Sequence, residues 1–270
     1  MAIIYSFSDI HGFYGAMMDT LSLVDLDSSK ENKLILLGDY VDRGKGSCEV
    51  LYQLMKLEEK YPSQIITLLG NHDEMFIDWY LLNDELQWLS QDVNFLTVKS
   101  FFSNEHFIDV MEQLVKRKKS YVEMSQYMVK EIRIKHSDLL DWFAEKRKKS
   151  LYYETDTQIY VHAGICETDE ELWKYATEQD EFTWKYPAET GPFYKDIIAG
   201  HVSTVEVAND INYLGKVFWD RQSHFFIDGE TVKSKIVPLL KYDSCKGVYS
   251  SFKKSVDGSW VEYQITKGRT

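Results

Sequence analysis

The sequence predicts an α/β protein built on a parallel sheet with crossover helices, a helical cap inserted over residues 78–150, and a second, largely antiparallel sheet packed on the first. Three observations lead to this reading. Short apolar runs alternate with amphipathic helical stretches over residues 1–75, and each run breaks into a polar loop. Residues 78–150 contain neither glycine nor proline and are rich in Lys, Glu, Met and aromatic residues. Beyond residue 201 the runs become short and alternating, the pattern of antiparallel strands. One domain is expected over residues 1–270, with the cap as an insertion inside it.

Taken in order, Ile3, Ile4, Tyr5 and Phe7 read as a first strand. The segment has no basic region and no long apolar core, so it does not read as a secretory leader. It runs into Ser8-Asp9-Ile10-His11-Gly12. Side chains alternate along an extended chain, so Asp9 and His11 point one way while Ile10 turns into the core. A carboxylate and an imidazole placed together suit a borderline divalent metal such as Mn²⁺, iron or Zn²⁺. An Asp capping the next helix, with a histidine beside it, is the plainer alternative. Residues 13–24 then carry Phe13, Met17, Leu21 and Val24 at helical spacing.

The run Leu34-Ile35-Leu36-Leu37 reads as a buried strand that ends in Gly38-Asp39-Tyr40-Val41-Asp42-Arg43-Gly44. Carboxylates that close together repel one another unless a cation compensates them. Arg43 can answer one of them, and the remainder of the chain points to metal ions for the other. Residues 47–60 form the next helix, with Val50, Leu51, Leu54 and Leu57 on one stripe and Pro62 beyond its end. Ile65-Ile66-Thr67-Leu68-Leu69 is a third strand feeding Gly70-Asn71-His72-Asp73-Glu74. Each polar loop lies at the carboxyl end of a parallel strand, so the loops converge in the crevice outside those ends.

Within the cap, Asn104 is placed to cap one helix, and Ser120 with Glu123 makes a capping box for the next. Two basic runs, Lys116-Arg117-Lys118-Lys119 and Lys146-Arg147-Lys148-Lys149, read as solvated helix ends or as a basic rim that attracts an anionic substrate. Two more β runs have a histidine at the exit: Ile159-Tyr160-Val161 leads to His162-Ala163-Gly164, and Ile197-Ile198-Ala199 leads to Gly200-His201-Val202-Ser203. Residues 217–219, 225–227, 236–240, 248–252 and 260–265 then make up the expected second sheet.

Composition narrows the class. A 44% hydrophobic fraction with 14% aromatic residues belongs to a chain with a packed core. A net charge of −12 disfavours nucleic acid and anionic membrane as partners, and no run approaches the length of a membrane span. Cys48, Cys166 and Cys245 are scattered and odd in number, which fits a reducing, cytoplasmic setting better than a disulfide framework or a cysteine zinc site.

Together, Asp9-x-His11, Gly38-Asp39-x-x-Asp42-Arg43-Gly44, Gly70-Asn71-His72-Asp73, His162-Ala163-Gly164 and Gly200-His201 resemble the metallophosphoesterase (calcineurin-like) superfamily. They are similar in particular to its phosphoprotein phosphatase branch and the bacterial relatives of that branch, which include symmetrical dinucleoside tetraphosphatases. The resemblance runs from Asp9 to His201 in the family's order. It implies a two-sheet sandwich flanked by helices and a pair of divalent ions, Mn²⁺ first and iron or zinc as alternatives. Carried over position by position, Asp9 and His11 would hold one ion, Asp39 would bridge both, and Asn71, His162 and His201 would hold the other. Ions about 3.5–4 Å apart activate a bridging water and clamp the phosphoryl group. His72, oriented by Asp42, would protonate the leaving oxygen, and Arg43 would grip the phosphate bidentately.

The implied activity is hydrolysis of phosphomonoesters, with phosphoserine or phosphothreonine in a protein as substrate. Hydrolysis of a dinucleoside tetraphosphate is the main alternative, and a non-catalytic binding scaffold a further one. Two departures from the pattern stand out. Ser203 occupies the place of the second histidine found in many superfamily members, which favours the phosphatase branch. Where bacterial relatives carry an arginine after a Trp, this chain has Trp184-Lys185, so Lys185 is the candidate for a second, weaker phosphate contact.

Overall fold

The computed structural model describes residues 2–82 and 86–266. Eleven strands among them form two sheets. The first holds β1 (Ile3–Phe7), β2 (Lys33–Leu36) and β3 (Ile65–Thr67), all parallel, extended antiparallel from the open edge of β1 by β9 (Leu240–Asp243), β10 (Val248–Lys254) and β11 (Trp260–Gln264). The second has the order β4 (Tyr152–Glu154), β5 (Gln158–Val161), β6 (Asp196–Ser203), β8 (His224–Asp228), β7 (Phe218–Trp219), with β5, β6 and β8 parallel.

Strand periodicity explains why these segments stack in layers. Along β2 and its exit, Leu34 and Leu36 face the helices outside the first sheet, whereas Ile35 and Leu37 face the second sheet. In β5, β6 and β8 the same alternation sends Tyr160, Ile198, Phe225 and Ile227 inward between the sheets. Ile159, Val161, Ile197, Ala199 and Phe226 turn outward to Trp173 and Phe182. Each such strand is buried on both faces, so its sequence is a nearly continuous apolar run.

The expected second sheet is corrected by this arrangement. Its centre is β5, β6 and β8, and the C-terminal strands are divided between the two sheets. Alternation marks a strand but not the edge it joins, and β1 had one edge open because β2 lies on the other. The run expected at 236–240 pairs only from Leu240 onward. The loop expected after Gly70 is already the first turn of α3 (Asn71–Leu82), where Asp73 and Glu74 complement the helix N-terminus. The first helix, α1 (Tyr14–Leu21), stops before Val24, whereas α2 (Ser47–Lys60) has the predicted bounds.

Between α3 and β4 the described chain is helical: α4 (Leu86–Gln91), α5 (Leu96–Lys99), α6 (Asn104–Lys116) and α7 (Tyr121–Ala144). Ser103, not Asn104, caps α6 by accepting from the His106 amide, and the Ser120–Glu123 capping box is present. Of the basic runs, the first ends α6 in solvent, with Lys119 paired to Glu123 at 2.6 Å. The second is solvated only at Lys148 and Lys149. Lys146 is buried against the Glu58 carboxylate of α2, which also accepts from Trp142 at 2.9 Å and Thr67 at 2.5 Å. Arg147 reaches Asp78 at 2.6 Å.

Burial opposes ionisation of Glu58, but these partners outweigh it and hold its carboxyl below the ordinary value. Removing the cation would leave a partly buried carboxylate with neutral donors only. Lys146→Ala is therefore expected to cost about 3 kcal/mol in urea unfolding; a loss under about 0.5 kcal/mol, the range of a surface substitution, would mean the pair is only a solvated contact.

Candidate metal centre

The exits of β1, β2, β3 and β5 meet Gly200-His201, where the pairing of β6 with β8 shifts register, at one edge of the sandwich, and backbone bonds lock them together. Asp9 N–H donates to Gly38 O (3.1 Å), His11 N–H to Asp39 O (2.9 Å), and Gly200 N–H to His162 O (2.7 Å). Asp9, His11, Asp39, Asp42, Arg43 and His201 all have φ between 49° and 73°, a left-handed backbone that residues with a Cβ rarely adopt. Strain of this kind, on the order of 1–3 kcal/mol per residue, persists only where surrounding contacts over-determine it. Space is as tightly set. A Cβ on Gly70 would lie 2.2 Å from Asp39 Oδ1, and one on Gly200 would lie 2.3 Å from Asp9 Oδ2.

The imidazoles are fixed by their outer nitrogens. His11 Nδ1 donates to Val41 O (2.9 Å) and His162 Nδ1 to Leu37 O (2.8 Å), so Nε2 of each carries a lone pair directed inward. His11 Nε2 is buried with no hydrogen-bond partner, 3.5 Å from Asp39 Oδ2 and 3.9 Å from Asp9 Oδ1. His162 Nε2 lies 3.6 Å from Asp39 Oδ1 and 3.2 Å from Asn71 Oδ1. The His201 ring stands 5.2 Å from that of His162, and its amide donates to Asp9 Oδ2. Two clusters of potential ligand atoms, His11 with Asp39 and His72, and Asp9 with Asp39 and His162, share Asp39.

Electrostatics favour a cation here. Burial pulls the His11 imidazole down to about 3 and that of His201 to about 4, and it lowers His162 as well, so all three are neutral donors at neutral pH. Burial, with Asp228 and Asp39 nearby, raises Asp9 well above the carboxylate range; burial also lifts Asp228 to about 7. Burial opposes ionisation of Asp39 too, but His162, His72, His11 and Arg43 outweigh it and its carboxyl is depressed. Since His11 and His162 are neutral, the net positive charge facing Asp39 comes from Arg43 and from His72 when protonated. An orphaned inward nitrogen, neutral imidazoles and carboxylates whose ionisation burial opposes are a donor set that fits divalent ions.

Beside this cluster, His72 Nδ1 donates to Asp42 Oδ2 at 2.6 Å, and its Nε2 faces an Arg43 guanidinium nitrogen at 3.1 Å. Burial works to lower the His72 imidazole, yet Asp39 and Asp42 outweigh it and its pKa is raised. Lys185 packs its stem over Gly164, and its ammonium is taken up by the Ile165 carbonyl and Glu189.

The structure also brings in residues to which the sequence reading gave no role. Asp73 accepts from the amides of Asp39 (2.7 Å), Tyr40 (2.9 Å) and Gly70 (3.0 Å), tying the β2 exit to the β3 exit. Asp228 ends β8, and the signal for it was available, since Phe225-Phe226-Ile227-Asp228-Gly229 repeats the strand-then-acid pattern.

The profile of the Calcineurin-like phosphoesterase family matches residues 3–203, which takes in all of these strand exits but that of β8. The chain belongs to that family. Calcineurin-like phosphoesterases are metal-dependent and work with two ions. A symmetrical bis(5'-nucleosyl)-tetraphosphatase of Methylobacillus flagellatus is 38% identical over 69 residues, a match spanning 26% of this chain and only 23% of that protein. Among solved structures, a cold-active protein tyrosine phosphatase superposes with a TM-score of 0.58 at 17% identity, covering 98% of this chain and 79% of the other. A protein serine/threonine phosphatase from Saccharomyces cerevisiae gives 0.51 at 14% identity, covering 100% and 81%. At such identities the superpositions speak for the fold.

The charge arrangement of this phosphoesterase sets how metal binding responds to pH. His11 and His201 have already lost their protons at pH 6, whereas Asp228, raised to about 7, must still give its proton up, and Asp9 is raised in the same direction. Without metal, their contribution to stability is present below the unfolded carboxylate value and is lost as pH rises through the folded value. Mn²⁺ should therefore bind with proton release at pH 6 that diminishes toward pH 8, and the Mn²⁺-induced rise in Tm should grow over the same interval. Calorimetry in buffers of different ionisation enthalpy checks this; proton-neutral binding at pH 6 would contradict it.

Proposed function

We propose that this chain hydrolyses phosphomonoesters, with phosphoserine and phosphothreonine in proteins as its preferred substrates and two divalent ions, manganese first and iron or zinc as alternatives, as cofactors. The observation that carries this reading is the His72–Asp42 pair at 2.6 Å beside the Asp39 cluster, with Arg43 at its outer side. Asp9 and His11 would hold one ion, Asn71, His162 and His201 the other, and Asp39 would bridge them. Bound there, the ions would supply Lewis acidity toward the phosphoryl oxygens and activate water.

The protein's own groups then have separate tasks. Asp42 fixes the ring of His72 so that Nδ1 keeps its proton and Nε2 faces the cleft. Arg43 is a donor only, so its contact with Nε2 requires a lone pair there. When a phosphate draws the guanidinium onto its oxygens, Nε2 is released to carry a proton, and the raised basicity of His72 favours its doing so. Arrival of substrate and loading of the acid are thereby linked. A positioned acid matters most when the leaving group is an alkoxide, as it is for phosphoserine and phosphothreonine, because a phosphoanhydride releases a far weaker base.

Hydrolysis of a dinucleoside polyphosphate is the second reading, favoured by the 38% identity to the tetraphosphatase over 69 residues. With Lys185 engaged by Glu189 and the Ile165 carbonyl, neither reading gains a second phosphate contact from it. Initial rates with Mn²⁺ on a phosphoserine/phosphothreonine peptide and on diadenosine tetraphosphate separate them: a kcat/KM higher by about 100-fold or more on the peptide is expected, and the reverse order overturns the choice. Asp42→Asn should lower kcat on the peptide about 100-fold, within the range attributed to general acids, with unchanged metal content. Loss of metal in that variant would count against Asp42 as the residue that orients the acid.

A further inference from the structure

Asp42 lies at the exit of β2, but most of its hydrogen bonds come from elsewhere. Its Oδ2 accepts from Trp88 Nε1 at 2.9 Å as well as from His72 Nδ1, and its Oδ1 accepts from Thr97 Oγ1 at 2.9 Å. Trp88 belongs to α4 and Thr97 to α5, so both donors are delivered by the helical stretch between β3 and β4. All three side chains are buried. The Trp88 ring is packed by Phe76 (5.2 Å between centroids) and Trp79 (4.9 Å). Thr97 is held by Asp92, whose carboxylate accepts from the amides of Thr97 (3.0 Å) and Val98 (3.1 Å).

We propose that Trp88 and Thr97 are positioning residues for proton transfer, setting the plane of the Asp42 carboxylate so that one lone pair is left for His72 Nδ1. This deepens the reading of His72 as the acid and rests on it. A carboxylate held only by an imidazole can rotate about its Cβ–Cγ bond and carry the ring with it. An indole N–H donates and never accepts, so Trp88 fixes Oδ2 as an acceptor in one direction. The Thr97 hydroxyl fixes the opposite oxygen, and the two contacts together with the Cβ–Cγ axis determine the plane. Charge-assisted bonds in a water-poor setting make that orientation costly to leave. The helical stretch therefore acts on the protonation step without touching the metal cluster.

The test uses the full chain with Mn²⁺ and compares wild type with Trp88→Phe, Thr97→Val and the double variant, the fold of each checked by circular dichroism. Two readouts are taken. In ¹⁵N-histidine-labelled protein prepared with diamagnetic Zn²⁺ in place of Mn²⁺, the Nδ1 proton of His72, assigned by its loss in His72→Gln, should exchange with water at least about tenfold faster in the double variant, since its acceptor is no longer held. Kinetically, kcat on a phosphoserine peptide should fall about 10–100-fold, while kcat on p-nitrophenyl phosphate, whose leaving group needs little protonation, falls less than about threefold. KM and metal content should stay unchanged, and Thr97→Ser should behave as wild type. Unchanged exchange of the His72 proton, or an equal loss on both esters, overturns the inference. Should the double variant not fold, the isosteric Thr97→Val is judged by the same criteria. A wild type that turns over neither ester defeats the proposed function, while the exchange measurement still decides whether Trp88 and Thr97 hold the pair.

Discussion

Carboxylates buried side by side repel one another and lose hydration, so a fold that gathers several of them must supply a partner for each. Asp9, Asp39, Asp42, Asp73 and Asp228 are all buried at the same edge of this sandwich, and they are answered differently, Asp228 by the Glu230 amide at 2.7 Å. Asp73 receives three backbone amides and so acts as a structural tie. Asp42 receives an indole, a hydroxyl and an imidazole, which suits an orienting role. Asp39 receives the His72 amide at 3.0 Å and faces Arg43 and the histidines. Asp9 has the His201 amide and little else, and its carboxyl is raised accordingly. The order of this series is informative: Asp9 and Asp39, which the proposed function gives to the ions, have fewer protein donors than Asp73 or Asp42.

That constraint explains local features that would otherwise look arbitrary. Aiming side chains from neighbouring strand exits at one point needs left-handed backbone at Asp9, His11, Asp39, Asp42, Arg43 and His201. Gly70 and Gly200 lack a Cβ because the carboxylates of Asp39 and Asp9 already occupy the space one would need. The histidine tautomers follow from carbonyls that the same strand ends leave free, Val41 O for His11 and Leu37 O for His162.

These relations also account for what could be read from the amino acids alone. The strand exits were legible because a run buried on both faces followed by Gly-Asp or a histidine is a strong local pattern, and the residues from Asp9 to His201 do converge. The partition of strands between sheets was not legible, since β9–β11 and β8 have the same alternation yet join different edges. Asn71 and His72 looked like loop residues because the helical periodicity of α3 lies downstream of them, and only the Asp73 carboxylate turned back on the Gly70 amide shows the helix starting there. Trp88 and Thr97 had no signal at all. They are separated from Asp42 by 46 and 55 residues, and a Trp or Thr in a helical segment reads as core or surface unless its partner is known.

The division of labour between the two parts of the chain bears on how such a site can change. The candidate ligands sit at or beside strand ends held by ladder bonds and glycine contacts, where one displaced side chain disturbs several others. The donors that orient Asp42 sit instead on short helices joined to the sheet through side-chain contacts, with Lys146 on Glu58 and Arg147 on Asp78 pinning the far end of that stretch. On the proposed function, a substitution among those helices would alter how well a leaving group is protonated while leaving the candidate ion-binding groups in place. Specificity between esters that need an acid and anhydrides that do not is, on this view, adjustable from the helical stretch. A family that shares its metal ligands can differ in leaving-group preference without any change at the strand exits.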